Sequence, residues 1–149
     1  MLSNFFTPDV IHLNVECSDW YEAVKVGTDL LVRKNCVEKR YLDAIVRNHK
    51  ELGPYMVIAP GIMLAHARPE DGVLKLSLSL VTLKMPIVFG NETNDPVKLL
   101  ITLAATNQDS HLSTLAELME LLMSEEDIEK MMNADKEEEI IKIVSRYSS

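Results

Sequence analysis

The stretch 97-VKLLITLAA-105 decides the fold class. It is apolar except at Lys98 and Thr102, whereas a strand with one exposed face would alternate apolar and polar residues. A short and nearly continuous apolar run is typical of a central strand that is covered on both faces. Helical patterns precede and follow the strand region, so we predict an α/β fold in which a mixed β-sheet is sandwiched between helices.

The neighbouring strands are predicted from alternation. The segment 73-VLKLSLSLV-81 places leucines at every second position from Leu74 to Leu80, with Lys75, Ser77 and Ser79 between them. This period of two predicts a strand with one buried face. Val10–Val15 resembles another short strand, and Pro86–Gly90 a short edge piece.

Two helices are predicted before these strands. Ser18 can cap the first, whose apolar stripe runs from Trp20 to Leu31 at helical spacing. The second is predicted from Val37 to Leu52. Gly53-Pro54 would end it, because glycine accepts the left-handed cap and proline cannot continue a helix.

Three helices are predicted in the last third of the chain. Asp109 or Ser110 can cap the first of these, which carries a leucine-rich stripe. Ser124 and Asp127 can form a capping box for a short second helix. Asp135 and Glu138 resemble a capping box for the last one.

Composition limits the classes of function. The chain has 149 residues, which suits one domain over 1–149, and its net charge of -8 argues against a nucleic-acid partner. The first residues lack the basic and apolar regions of a signal peptide, and no apolar run reaches the ~18 residues of a membrane helix. Cys17 and Cys36 are isolated, as in a reducing compartment. We therefore expect a cytoplasmic protein.

Most catalytic motifs are missing from the sequence. It contains no GxGxxG, GxxxxGK[ST], HExxH or GxSxG motif. Zinc would need three or four ligands at suitable spacing, and only two histidines could meet. We therefore expect neither a metal nor an organic cofactor.

Two histidines occupy positions where ligand sites form. His66 closes the apolar run of residues 62–65, and His111 lies in the first turn of a helix that follows the central strand. Ligands of open α/β sheets bind at the carboxyl ends of strands, and helix N-termini attract phosphate. A neutral imidazole beside a helix N-terminus and Arg68 is a plausible phosphoryl acceptor, because phosphoryl transfer depends mainly on positioning and charge stabilisation.

Structural roles remain open at this point. A histidine near a strand end is more often a hydrogen-bonded structural residue than a catalytic one. Arg68, followed by Glu70 and Asp71, could form an exposed, salt-linked turn of little energetic value. His12 and His49 have no supporting context.

Longer blocks resemble a known family. The segments 53-GPYMVIAPGIMLAHARPEDGV-73 and 78-LSLVTLKMPIVFGNETNDPVKLLITLAATNQDSHLSTLAELMELL-122 resemble the mannitol–fructose class of IIA proteins of the phosphotransferase system (PTS). Within that class they look most like the ascorbate-specific branch. The resemblance extends to "EAVKVGTDLLV" and "VEKRYLDAIV", and so covers nearly the whole chain. It implies the same fold, a mixed sheet between helices.

The resemblance implies a phosphocarrier. Such a protein accepts a phosphoryl group from HPr and passes it to a cysteine of a IIB component, which phosphorylates sugar in the membrane IIC protein. By position, His66 matches the phosphorylated histidine, with Nε2 as the family precedent for the reacting nitrogen. His111 matches the second active-site histidine, which assists by hydrogen bonding. Arg68 lies in the matching motif as a candidate phosphate contact. Ascorbate-like sugars, pentitols or hexitols are the implied substrates of the transporter.

Two positions depart from the family pattern. Proline commonly precedes the reactive histidine, and this chain has Ala65 there, which removes a fixed φ and restores an N–H. The mannitol branch also contributes an arginine from the preceding helix. A gapped alignment places His49 near that arginine, with Arg47 and Lys50 beside it.

Alternatives remain for function and docking. The same fold could be a regulatory module whose phosphorylation controls a transcription regulator or an enzyme. A plain structural domain with two incidental histidines would take up no phosphate. Met63, Leu64 and Ala65 could be partly exposed for partner docking or buried in the core.

Overall fold

The computed structural model describes residues 1–107 and 111–148. They form ten helices and strands, apart from short 3-10 turns. In chain order these are β1 (Ile11–Val15), α1 (Trp20–Arg33), α2 (Arg40–Leu52), β2 (Val57–Ala59), β3 (Ile62–Ala65), β4 (Ser77–Ile87), β5 (Val97–Ala104), α3 (Leu112–Leu122), α4 (Glu125–Met132) and α5 (Glu137–Ser145).

The five strands form one mixed sheet, as predicted. Their order is β1-β4-β5-β3-β2. β1 is parallel to β4 and β3 is parallel to β5, while the β4–β5 and β2–β3 pairs are antiparallel. β5 lies at the centre, and Leu99, Leu100 and Ile101 are completely buried. The prediction of a central strand covered on both faces is therefore confirmed.

Helices cover the two faces of the sheet, which confirms the predicted sandwich. On one face α1 and α2 pack through a core that includes Val24, Leu31 and Ile45. On the other face α3, α4, α5 and the N-terminal 3-10 segment pack around a second core. Along the described ranges, no helix is long and apolar enough to cross a membrane.

The prediction of a single buried face for β4 is wrong. Ser77 and Ser79 are buried, and the Ser79 hydroxyl donates a hydrogen bond to the Gly27 carbonyl oxygen at 2.8 Å. A Cβ atom on Gly27 would lie only 2.6 Å from Thr102 Oγ1. α1 therefore approaches the sheet closely over small polar residues. Because these residues are polar, the sequence pattern predicted an exposed face where the structure has a buried one.

The ends of this strand also differ from the prediction. β4 begins at Ser77 and runs to Ile87, so only Pro86 and Ile87 of the predicted edge piece are in a strand, and they continue β4. Leu74 is 53% exposed and lies outside the strand. Val73 forms an isolated bridge with Val37. Because Val37 takes part in that bridge, α2 begins at Arg40 and not at Val37.

The caps of α1 and α4 agree only in part with the predictions. The Ser124 hydroxyl accepts from the Asp127 amide at the start of α4, which is one half of the predicted capping box. Asp19, not Ser18, caps α1 by accepting from the Glu22 amide.

The predicted box at the last helix does not form. α5 begins at Glu137 after Lys136, and no side chain caps it. The Asp135 amide donates to Glu139 instead of pairing with Glu138. The predicted caps Asp109 and Ser110 lie outside the described residues.

Candidate active site

His66 follows the carboxyl end of β3, at the edge of the sheet where ligand sites were expected. β3 ends at Ala65, which is completely buried and pairs with Thr102 of β5. Because β3 and β5 are parallel, both chains leave the sheet at this edge. Strand pairing therefore continues up to Ala65, the residue before His66.

A backbone hydrogen bond sets the tautomer of the neutral His66 ring. Nδ1 lies 2.9 Å from the carbonyl oxygen of Leu64. A carbonyl oxygen can only accept, so Nδ1 carries the hydrogen of the neutral ring and Nε2 keeps a free lone pair. The ring of Tyr55 stands edge-on to this imidazole, with centroids 6.1 Å apart. The half-buried His66 thus presents Nε2 as its nucleophilic atom.

His66 lines a pocket of about 330 Å³. α2 contributes three of the lining residues, Tyr55 lies between α2 and β2, and the chain after β3 contributes the others. The lining residues are Arg47, Asn48, Leu52, Tyr55, His66, Ala67, Arg68 and Asp71. The pocket therefore combines one imidazole with two guanidinium groups, which suits a phosphoryl group.

The Asp71 carboxylate contacts the backbone of Arg68 and the side chain of Arg47. Its Oδ2 accepts from the Arg68 amide at 3.0 Å, and its Oδ1 lies 3.9 Å from Nη2 of Arg47. The Arg68 side chain is exposed and makes no ion pair with any residue that the structure describes. Arg68 is thus the less engaged of the two cations, while part of the Arg47 charge is balanced by Asp71.

Of the three α2 residues considered from the sequence, only Arg47 lines the pocket. His49 is buried and lies against Trp20, with ring centroids 4.4 Å apart and ring planes tilted by 46°. Its Nε2 donates to the Phe89 carbonyl oxygen at 2.9 Å. Lys50 is exposed and is not a lining residue. Of the residues that the sequence left open, Arg47 thus reaches the pocket, whereas the His49 side chain packs into the core.

The burial of His49 predicts a pH dependence of stability. Burial lowers the pKa of His49 below its usual value, against smaller opposing effects of Phe89 and Asp95. Below about pH 6.5 the unfolded chain binds a proton that the native state resists. Above that pH the protonation of His49 takes nothing from the free energy of unfolding. Below it the free energy of unfolding decreases as the pH falls through the lowered native pKa of His49.

Denaturant unfolding at several pH values from 7.5 to 5 measures this effect. We expect His49→Gln to lose less stability on acidification than the parent. His12→Gln, which alters an exposed histidine of β1, serves as the matched control and should keep the parental slope. An unchanged slope in His49→Gln would contradict the assignment.

His111 lies at the start of α3. It is half-buried, immediately precedes Leu112, and has helical backbone angles of φ -88° and ψ -7°. Within the described residues it does not line the His66 pocket. The structure thus places the two histidines after neighbouring parallel strands but describes no contact between them.

The apolar residues beside His66 are not a docking surface. Met63, Leu64 and Ala65 are all buried, since β3 lies inside the sheet. The exposed apolar side chains next to His66 are Leu52 and Tyr55, at 67% and 46% exposure. Neither was singled out from the sequence, because single exposed apolar residues have no local signature.

A second groove of about 450 Å³ lies beside the turn between β2 and β3 and the start of α4. It is larger than the His66 pocket and mainly apolar, with Glu125 and Glu129 at its border. Its lining contains no imidazole or guanidinium group. This groove therefore offers neither an imidazole nor a cation to a phosphoryl group.

Similarity to known proteins covers nearly the whole chain. Residues 4–147 match the family described as the phosphoenolpyruvate-dependent sugar phosphotransferase system, EIIA 2. The ascorbate-specific PTS system EIIA component of Escherichia coli K12 is 42% identical over 140 residues, which cover 93% of this chain and 91% of that protein.

Two solved structures share the fold. The cryptic mannitol-specific enzyme IIA CmtB of E. coli has a TM-score of 0.87 and 38% identity, with 97% of this chain and 98% of that chain covered. The E. coli complex of mannitol enzyme IIA with phosphorylated enzyme IIB matches at a TM-score of 0.82 and 25% identity, covering 94% and 96%.

Proposed function

Because this chain belongs to the EIIA 2 family of the phosphoenolpyruvate-dependent sugar phosphotransferase system, we propose that His66 carries its phosphoryl group. A IIA component is a phosphotransferase component of sugar uptake and works with a IIB partner. The observation that carries the proposal is the free Nε2 of His66 in a pocket lined by Arg47 and Arg68.

The proposed step is an in-line transfer to Nε2. The Nε2 lone pair forms the new bond to phosphorus while the bond from phosphorus to the donor breaks. The Nδ1 hydrogen stays on the ring, so the product is a phospho-imidazolium whose positive charge is stabilised by the Leu64 carbonyl dipole. The same charge makes the ring a good leaving group for the next transfer.

The other site residues take supporting roles in this proposal. Arg68 contacts the phosphate oxygens with a guanidinium that has no other described partner, and Arg47 adds a second cation. His111 assists by hydrogen bonding to the phosphoryl group. This role is supported by its place in the chain after β5, the parallel neighbour of β3.

The proposed pathway has three partners. HPr is the phosphoryl donor, a cysteine of a IIB component is the acceptor, and this cysteine then phosphorylates the sugar in a membrane IIC protein. The 42% identity to an ascorbate-specific component supports ascorbate as the transported sugar. We place the protein in the cytoplasm, and the reaction needs no metal or organic cofactor.

A coupled phosphotransfer assay tests this proposal. The chain is incubated with phosphoenolpyruvate, the general PTS enzyme and HPr, and should gain acid-labile phosphate. Nuclear magnetic resonance of the product should place the phosphorus on Nε2 of His66. The labelled protein should then discharge faster to an ascorbate-type IIB than to a mannitol-type IIB. Absence of label, or label on Nδ1, would refute the mechanism, and equal discharge would refute the substrate assignment.

A further inference from the structure

Tyr41 places a hydroxyl group beside the reactive loop. Its side chain projects from the first turn of α2 and is completely buried. The hydroxyl accepts from the Ala67 amide at 2.9 Å and donates to the Leu103 carbonyl oxygen at 2.7 Å. A single oxygen atom therefore connects α2, the chain just after His66, and the end of β5.

The two backbone groups lie just beyond the last pair of β3 and β5. That pair is Ala65 with Thr102, so Ala67 and Leu103 come where the strands begin to separate. The Tyr41 hydroxyl continues the connection by standing between an N–H donor and a C=O acceptor. Where β3 and β5 separate, His66 leaves the sheet, and the bond from the Ala67 amide to Tyr41 holds the backbone next to it.

The amide of His66 itself has only a weak partner. It lies 3.5 Å from the sulfur of Met56, and a thioether sulfur is a poor acceptor. The strong backbone bond nearest to the imidazole on its C-terminal side is therefore the one that Ala67 makes to Tyr41. Removing the hydroxyl would leave this amide and the Leu103 carbonyl without that partner.

We infer that Tyr41 is a positioning residue for phosphoryl transfer: its hydroxyl fixes the backbone of residues 66–67 and thereby aims Nε2 of His66. This inference rests on the proposed function of His66. Transfer requires an in-line approach, and a displacement of about 1 Å can cost roughly 100-fold in rate. Tyr41 is not among the described residues that line the His66 pocket, so its effect passes through the backbone.

The environment keeps the hydroxyl protonated. Burial raises the pKa of Tyr41 to about 12, against a smaller lowering effect of the Ala67 amide. The hydroxyl therefore donates and accepts throughout the physiological range, and the anchor itself adds no pH dependence to transfer.

Tyr41→Phe tests the anchor, because it keeps the ring and removes only the hydroxyl. Tyr147→Phe is the matched control, since its hydroxyl also bonds a protein group, Asp127, but on the opposite face of the sheet. With phospho-HPr as donor and both variants folded, we expect Tyr41→Phe to lower kcat about 10- to 100-fold with KM within about twofold. The kcat of Tyr147→Phe should stay within about twofold of the parent.

Several outcomes would overturn the inference. A parental kcat in folded Tyr41→Phe would do so, and so would an equal loss in Tyr147→Phe, which would indicate a general effect of stability. If Tyr41→Phe does not fold, amide hydrogen exchange of the parent protein tests whether the bond between Tyr41 and the Ala67 amide is present. Protection of the Ala67 amide supports the anchor, whereas exchange at the rate of an unstructured peptide refutes it.

A His66→Gln sample separates this inference from the function on which it rests. Continued labelling of His66→Gln would refute the proposed function. Loss of labelling there, combined with a normal kcat in Tyr41→Phe, would refute only the role of Tyr41.

Discussion

His66→Gln is expected to take up no phosphoryl group from phospho-HPr, the largest effect that we predict for any single substitution. Glutamine keeps a polar side chain of similar length, but its amide nitrogen has no lone pair available for attack on phosphorus. The loss should therefore be complete and not graded. Labelling from phosphoenolpyruvate through the general PTS enzyme and HPr, read after neutral electrophoresis, measures it.

The control for this experiment is His12→Gln. His12 is an exposed histidine of β1, on the far edge of the sheet from β3. It should label at the parental rate with unchanged stoichiometry. Retained labelling of His66→Gln would show that another residue is the acceptor, and peptide mapping of that sample would identify it.

The two arginines of the pocket are expected to contribute unequally. Arg68→Met should lower kcat/KM for phosphoryl transfer by roughly 10²-fold, the usual cost of removing one charged group that stabilises a transition state. Arg47→Met should cost about tenfold, because Asp71 already balances part of the Arg47 charge. Methionine keeps much of the length and apolar volume of arginine, so the change is mainly one of charge.

Stopped-flow or rapid-quench measurement of single-turnover transfer compares these variants. Arg33→Met is the matched control, since Arg33 is exposed in the last turn of α1 and does not line the pocket. A larger loss in Arg47→Met than in Arg68→Met would make Arg47 the main phosphate contact. Parental rates in both would remove the guanidinium groups from the mechanism.

The local sequence was sufficient for the parts of the site that lie in one segment. His66 follows the apolar run of β3 directly, and Arg68 is two residues farther on. Their proximity is therefore a property of chain connectivity. The same reasoning placed His111 at the start of α3, although the sequence could not say whether it reaches the His66 pocket.

The contribution of α2 could not be predicted in the same way. Arg47, His49 and Lys50 lie within four residues, and successive residues of a helix are rotated by about 100°. Arg47 and His49 therefore point in very different directions, toward the pocket and into the core respectively. A gapped alignment cannot resolve a shift of one or two residues, and such a shift decides which side chain reaches the site.

The sequence by itself determined the α/β class, the buried central strand β5 and the presentation of His66 at a strand end. Each of these follows from apolar periodicity or from neighbouring residues in the chain. Only the tertiary structure decided that Ser79 is buried beneath α1, that Arg47 lines the pocket and that the Tyr41 hydroxyl anchors Ala67. These contacts join residues far apart in the chain, and their geometry depends on how the helices rotate and pack against the sheet.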